Sequence, residues 1–75
     1  MMVSVEIDTR GLRCPLPVLR ARKALDGLAS GDVLRLWADD PIAVIDIPHF
    51  CQEAGHEVIA VEETADAQIY LIRRG

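Results

Sequence analysis

The chain has 75 residues, 51% hydrophobic and 27% charged, with a formal net charge of −4. That length makes one domain over residues 1–75, with a small core and no room for a second domain. The acidic balance argues against unaided nucleic-acid binding by phosphate neutralisation, and no apolar run approaches the roughly 18 residues of a membrane span.

Val3, Val5 and Ile7 alternate with Ser4, Glu6 and Asp8, the pattern of a half-buried strand. The start also carries no signal-peptide pattern. The two cysteines, Cys14 and Cys51, are therefore expected reduced, in a cytoplasmic protein. Asp8 to Arg13 reads as a short loop containing Gly11. A helix is predicted from Pro15 to about Leu28, with Val18, Ala21, Leu25 and Leu28 at three- and four-residue steps. Ser30-Gly31-Asp32 is a turn, and Val33 to Ala38 is a second strand with Leu34 and Leu36 on one side.

Asp39-Asp40-Pro41 starts a second helix, with Asp40 as N-cap and Pro41 at N1. This helix is predicted to run, kinked at Pro48, to Ala54, with Gly55 as C′. Glu57 to Glu63 and Ala67 to Arg73 are two further strands joined by Thr64-Ala65-Asp66. The order βαβαββ implies an α/β two-layer sandwich: a four-stranded mixed sheet with both helices on one face. The first two strands are parallel neighbours, and the last two pair antiparallel. The uncovered face is expected to carry Trp37, Tyr70 and Ile72 among polar residues.

Cys14-Pro15-Leu16-Pro17 is the segment richest in chemistry. With Cys14 as N-cap, Pro15 falls at N1 and Pro17 at N3, where a missing N–H forfeits no helical hydrogen bond. Ser, Thr, Asp and Asn are the ordinary caps, so a cysteine there points to chemistry rather than capping. A helix N-terminus favours an exposed anion by roughly 0.3–1 kcal/mol and so lowers a thiol's pKa. The prolines remove two of the orphan N–H groups, leaving those of Cys14 and Leu16, so the lowering is expected to be modest. Arg10 and Arg13 are local cations that push the same way. Arg10, Arg13, Arg20, Arg22 and Lys23 form a basic cluster around and after the cysteine that suits docking of an anionic partner.

Asp8-Thr9-Arg10-Gly11-Leu12-Arg13-Cys14-Pro15-Leu16-Pro17, Ala38-Asp39-Asp40-Pro41, Asp46-Ile47-Pro48, Phe50-Cys51 and Gly55-His56-Glu57 recur with close spacing in one group of proteins. On these segments, and on the ending Tyr70 to Gly75, the chain resembles the TusA/SirA/YedF-like sulfur carriers, most closely the TusA type. The resemblance implies a sulfurtransferase that works as a persulfide carrier. A cysteine desulfurase or other persulfide donor loads sulfur on Cys14, which passes it to a downstream relay protein. One end point so implied is 2-thiolation of a tRNA wobble uridine; others are molybdenum-cofactor maturation and sulfur oxidation.

Transfer of sulfane sulfur needs a reachable thiolate and little else, so no cofactor is expected. Cys14 is the one catalytic residue assigned. Cys51, beside Phe50 in the second helix, reads as core packing, with a resolving thiol for Cys14 as the alternative. His49 and His56 lack zinc-site spacing, so no metal is assigned, and His56 reads as a local hydrogen-bonding residue at a helix-to-strand turn. A monomer without direct nucleic-acid or membrane binding is expected. The competing class is a non-enzymatic regulatory or RNA-binding module of the same fold.

Overall fold

The computed structural model describes residues 2–75. The elements follow the order β1 (Val5–Asp8), α1 (Leu16–Asp26), β2 (Val33–Ala38), α2 (Ala43–Ala54), β3 (Glu57–Glu63) and β4 (Gln68–Arg73). The sheet order is β1-β2-β4-β3, with β1 and β2 parallel and the other pairs antiparallel.

Period-two alternation in β2 sorts its side chains. Leu34, Leu36 and Ala38 are fully buried against the helices, and Arg35 and Trp37 take the other face. Register then carries the pattern across the sheet: Val5 and Leu34 pair with Ile72 in line, and Ile7 and Leu36 with Tyr70. From α1, Ala21 and Leu25 join this layer; from α2, Ala43, Ile47, Phe50 and Cys51 do. Both helices therefore cover one face, and the two-layer arrangement holds.

The content of the open face differs from expectation. Tyr70 and Ile72 are in the core, and Ile69 and Leu71 take the outer positions opposite Trp37 and Arg35. Strand β4 is central and apolar on both faces, so alternation gave no contrast to set its register. The open face is covered by its own side chains. Trp37 Nε1 donates to Glu6 at 2.6 Å, and the Arg10 guanidinium stacks 4.6 Å from the Trp37 ring centroid. Arg73 pairs with Glu57 across the strands at 2.7 Å.

Two helix starts also differ. Helix α1 begins at Leu16 with Pro15 as N-cap, so Cys14 lies one residue before the cap rather than at it. The Cys14–Pro15 peptide bond is cis. Helix α2 begins at Ala43, because Pro41 and Ile42 form a separate turn closed by the Ala43 N–H on the Asp40 carbonyl. Pro48 lies inside one unbroken helix. Gly55 ends it at φ 82°, with its cap N–H on the Cys51 carbonyl, a left-handed conformation that glycine adopts without Cβ strain.

Candidate active site

Parallel pairing of β1 with β2 brings their C-terminal ends together, since Asp8 stands opposite Trp37. The loops that leave those ends, residues 9–15 and 39–42, therefore meet. Their joint is built from two adjacent carboxylates. Asp39 Oδ1 accepts the Gly11 N–H at 2.9 Å and Arg13 Nη1 at 3.0 Å. Gly11 reaches that oxygen from a left-handed turn at φ 86°, which a side-chain-bearing residue rarely adopts. Asp40 is 6% exposed; its Oδ2 accepts the Cys14 N–H at 2.7 Å and its Oδ1 the Ile42 N–H at 3.1 Å.

These bonds hold both carboxyls below the usual carboxylate range. The Gly11 N–H is the leading cause for Asp39, and the Cys14 N–H for Asp40. Asp40 thus caps the turn before α2 with one oxygen and fixes the backbone of the cysteine loop with the other. The second function was not legible in sequence, where Asp40 read as a helix cap, with steering of a partner as the alternative.

Cys14 is exposed and unpaired with Cys51, which is 1% exposed. Its position confirms an outward thiol near the head of α1 but overturns the expected lowering of its pKa. The thiol is raised above its ordinary range, chiefly by a hydrogen bond to Asp46, then by desolvation and by the charges of Asp46 and Asp40. Three features account for the reversal. The two N–H groups expected to face the thiolate are occupied: that of Cys14 by Asp40, and that of Leu16 by the Arg13 carbonyl at 2.9 Å. The prolines supply none. Both arginines turn to carboxylates instead of the thiol: Arg13 to Asp39, and Arg10 to Asp8 through a two-pronged contact at 2.8 and 3.0 Å. The Arg10 pair holds Asp8 near pKa 2.

Asp46, the leading cause of that shift, was not linked to Cys14 in the sequence. It is 32 positions from Cys14, and only the packing of α1 against α2 brings its helix turn to the cysteine loop. A groove of about 290 Å³ between the helices is lined by Pro15, Val18 and Arg22 on one side and by Asp46, His49, Phe50 and Glu53 on the other. Around the thiol the two helix starts also expose apolar side chains: Leu16, Leu19, Ile42 and Ile45 are 42–66% exposed.

The remaining candidates separate cleanly. Cys51 packs in the core, and burial pushes its thiol up to about 11, as a packing residue requires. His56 Nδ1 accepts the Gly75 N–H at 3.0 Å, a hydrogen bond as expected but to a residue 19 positions away rather than within its own turn. His49 lies on the surface, 3.6 Å from Glu53. Among the described residues no cluster of His, Cys, Asp and Glu has the arrangement of a metal site, and no helix is long and apolar enough to cross a membrane.

Fold and site together define a small two-layer α/β domain that presents a cysteine outward on a carboxylate-clamped loop. The family model described as sulfurtransferase TusA matches residues 5–74. The chain belongs to that family, whose members act in sulfur transfer. It is also similar to the crystal structure of a SirA-like protein from Desulfitobacterium hafniense, at 29% identity and a TM-score of 0.83, over 95% of this chain and 97% of that one.

Proposed function

We propose that Cys14 is the sulfur-bearing residue of a persulfide carrier that takes sulfane sulfur from a cysteine desulfurase or similar donor in the cytoplasm. A relay protein downstream receives it, with tRNA wobble-uridine thiolation as one end point and molybdenum-cofactor maturation or sulfur oxidation as the others. The observation that carries this reading is the contrast between the two thiols: Cys14 is exposed, whereas Cys51 is buried at 1% exposure.

In the loading step the Cys14 thiol gives up its proton and its sulfur attacks the outer sulfur of the donor persulfide. A new S–S bond forms on Cys14, the donor S–S bond breaks, and the donor leaves as a thiolate that takes up a proton. Discharge runs the same exchange toward the acceptor.

A raised pKa fits a carrier. The resting protein keeps most Cys14 as thiol at neutral pH, the form less prone to oxidation. A donor that brings a cation against Asp46 and Asp40 neutralises the charges that hold the proton, so the nucleophile forms at the encounter. The exposed Leu16, Leu19, Ile42 and Ile45 give that donor an apolar surface to cover around the thiol.

The test is intact-mass measurement after incubation with a cysteine desulfurase, its pyridoxal phosphate and free cysteine. Wild type and Cys51→Ser gain one sulfur atom, and Cys14→Ser gains none. Loading that persists in Cys14→Ser overturns the assignment.

A further inference from the structure

Strand β1 is one edge of the sheet, and among the described residues its only neighbour is β2. The backbone groups of its outer side are those a further strand would use. Helix α1 does not close over that edge. Between them lies a groove of about 570 Å³, floored by Val5, Ile7 and Ala24, with Arg20 and Lys23 on its helix side and Asp8 and Thr9 at one end. Val5 and Ile7 are half-buried, so their apolar surface is incompletely covered.

The charges in this groove are unusual for the chain. With 12 acidic and 8 basic residues, carboxylates are in surplus. Arg10, Arg13, Arg35 and Arg73 each pair with one, and Arg74 donates to the Leu25 carbonyl. Among the described residues Arg20, Arg22 and Lys23 pair with none; Arg22 lies over the Phe50 ring in the groove between the helices, whereas Arg20 and Lys23 are exposed beside β1. Asp8, the groove's own carboxylate, is already matched by Arg10. Two uncompensated cations therefore flank an open strand edge.

We propose that the β1 edge and this groove bind an acidic, extended segment of a partner protein as an added strand. Backbone pairing with β1 supplies affinity, and side-chain alternation supplies selectivity. Side chains of the added strand that point to the helix layer meet Arg20 and Lys23, which are about 4.5 Å apart along the helix axis. Alternate residues of a strand are about 6.7 Å apart, within reach of two long flexible cations. Those pointing to the open face pass Glu6, already paired with Arg35 and Trp37, and meet no unpaired cation, so that side of the segment is neutral. The pattern selected is a carboxylate at every second position with neutral residues between. Arg20 and Lys23 lie one to two turns along α1 from the loop of Cys14, so the segment tethers a partner without covering the thiol.

The probe is a capped peptide of about seven residues alternating glutamate and threonine, titrated into the full-length isotope-labelled chain and followed by amide chemical shifts. Saturable shifts centred on Val5–Thr9 and Arg20–Ala24, weakening as salt rises, are expected. The double variant Arg20→Ala/Lys23→Ala weakens binding about tenfold. Both positions are exposed, and an unchanged spectrum of the free variant establishes its fold. The same peptide N-methylated at alternate residues keeps its charge but cannot pair as a strand, and it loses the shifts at β1. Absence of shifts at β1, equal binding of the N-methylated peptide, or equal binding of a lysine–threonine peptide overturns the proposal. So does concentration-dependent movement of the same amides without peptide, which would make a second copy the occupant.

Discussion

Asp46 is the leading cause of the raised Cys14 pKa, and its effect has a definite sign. The carboxylate accepts from the thiol and adds negative charge beside it, so both contributions favour the protonated form. Asp46→Asn removes the charge and leaves a side chain of similar size. Its expected outcome is a lower Cys14 pKa and faster alkylation by iodoacetamide near neutral pH, read from rate–pH profiles of the two proteins. An unchanged profile contradicts the role given to Asp46. Asp40 acts on stability instead. Its folded pKa is depressed, so the stability it contributes is present above the unfolded carboxyl's ordinary value of about 4 and is lost as pH falls through the lower folded value. Asp40→Asn is expected to lower the urea midpoint at pH 7 and to flatten the fall of that midpoint with acid. A parallel acid profile in the variant contradicts the clamp.

At the level of elements, the readable parts of the sequence were those where one face contrasts with the other. Strand β2 has the bounds its alternation predicted, β3 keeps its predicted bounds although Val58 to Val61 are apolar in succession, and the C-terminal end of α2 falls where Gly55 placed it. Strand β4 is apolar at Ile69, Tyr70, Leu71 and Ile72 in succession, so its inward face could be assigned only once its pairing with Leu34 and Leu36 was known. The head of α1 was misplaced by a residue because capping rules describe the helix alone. The Leu16 N–H turns back on Arg13 within the cysteine loop, and the Cys14 N–H on Asp40 belongs to a loop–loop joint. For the same reason the direction of the Cys14 pKa shift was not legible: Asp46 is near in space and distant in sequence. Two substitutions test these elements by urea unfolding. Gly55→Ala forces a side chain into a left-handed C′ position and is expected to cost about 1 kcal/mol. Cys51→Ala leaves a small void in the core and is expected to cost about 1 kcal/mol, while native Cys51 resists alkylation until the protein unfolds. Neutral effects would place Gly55 and Cys51 outside the roles described.

Across the whole molecule, the fold separates stability from chemistry. One face of the sheet and two helices hold the core, while the thiol stands at the joint of two loops, outside the core and held by backbone contacts to Asp39 and Asp40. So small a domain needs no cavity of its own for sulfur exchange, because the partner supplies the other sulfur. The most direct test of this account is the mass of the loaded chain after treatment with a desulfurase, cysteine and pyridoxal phosphate, followed by peptide mapping. The account predicts one added sulfur on the peptide that contains Cys14, retained in Cys51→Ser and absent in Cys14→Ser. Sulfur mapped to Cys51, or loading that survives loss of Cys14, would contradict it.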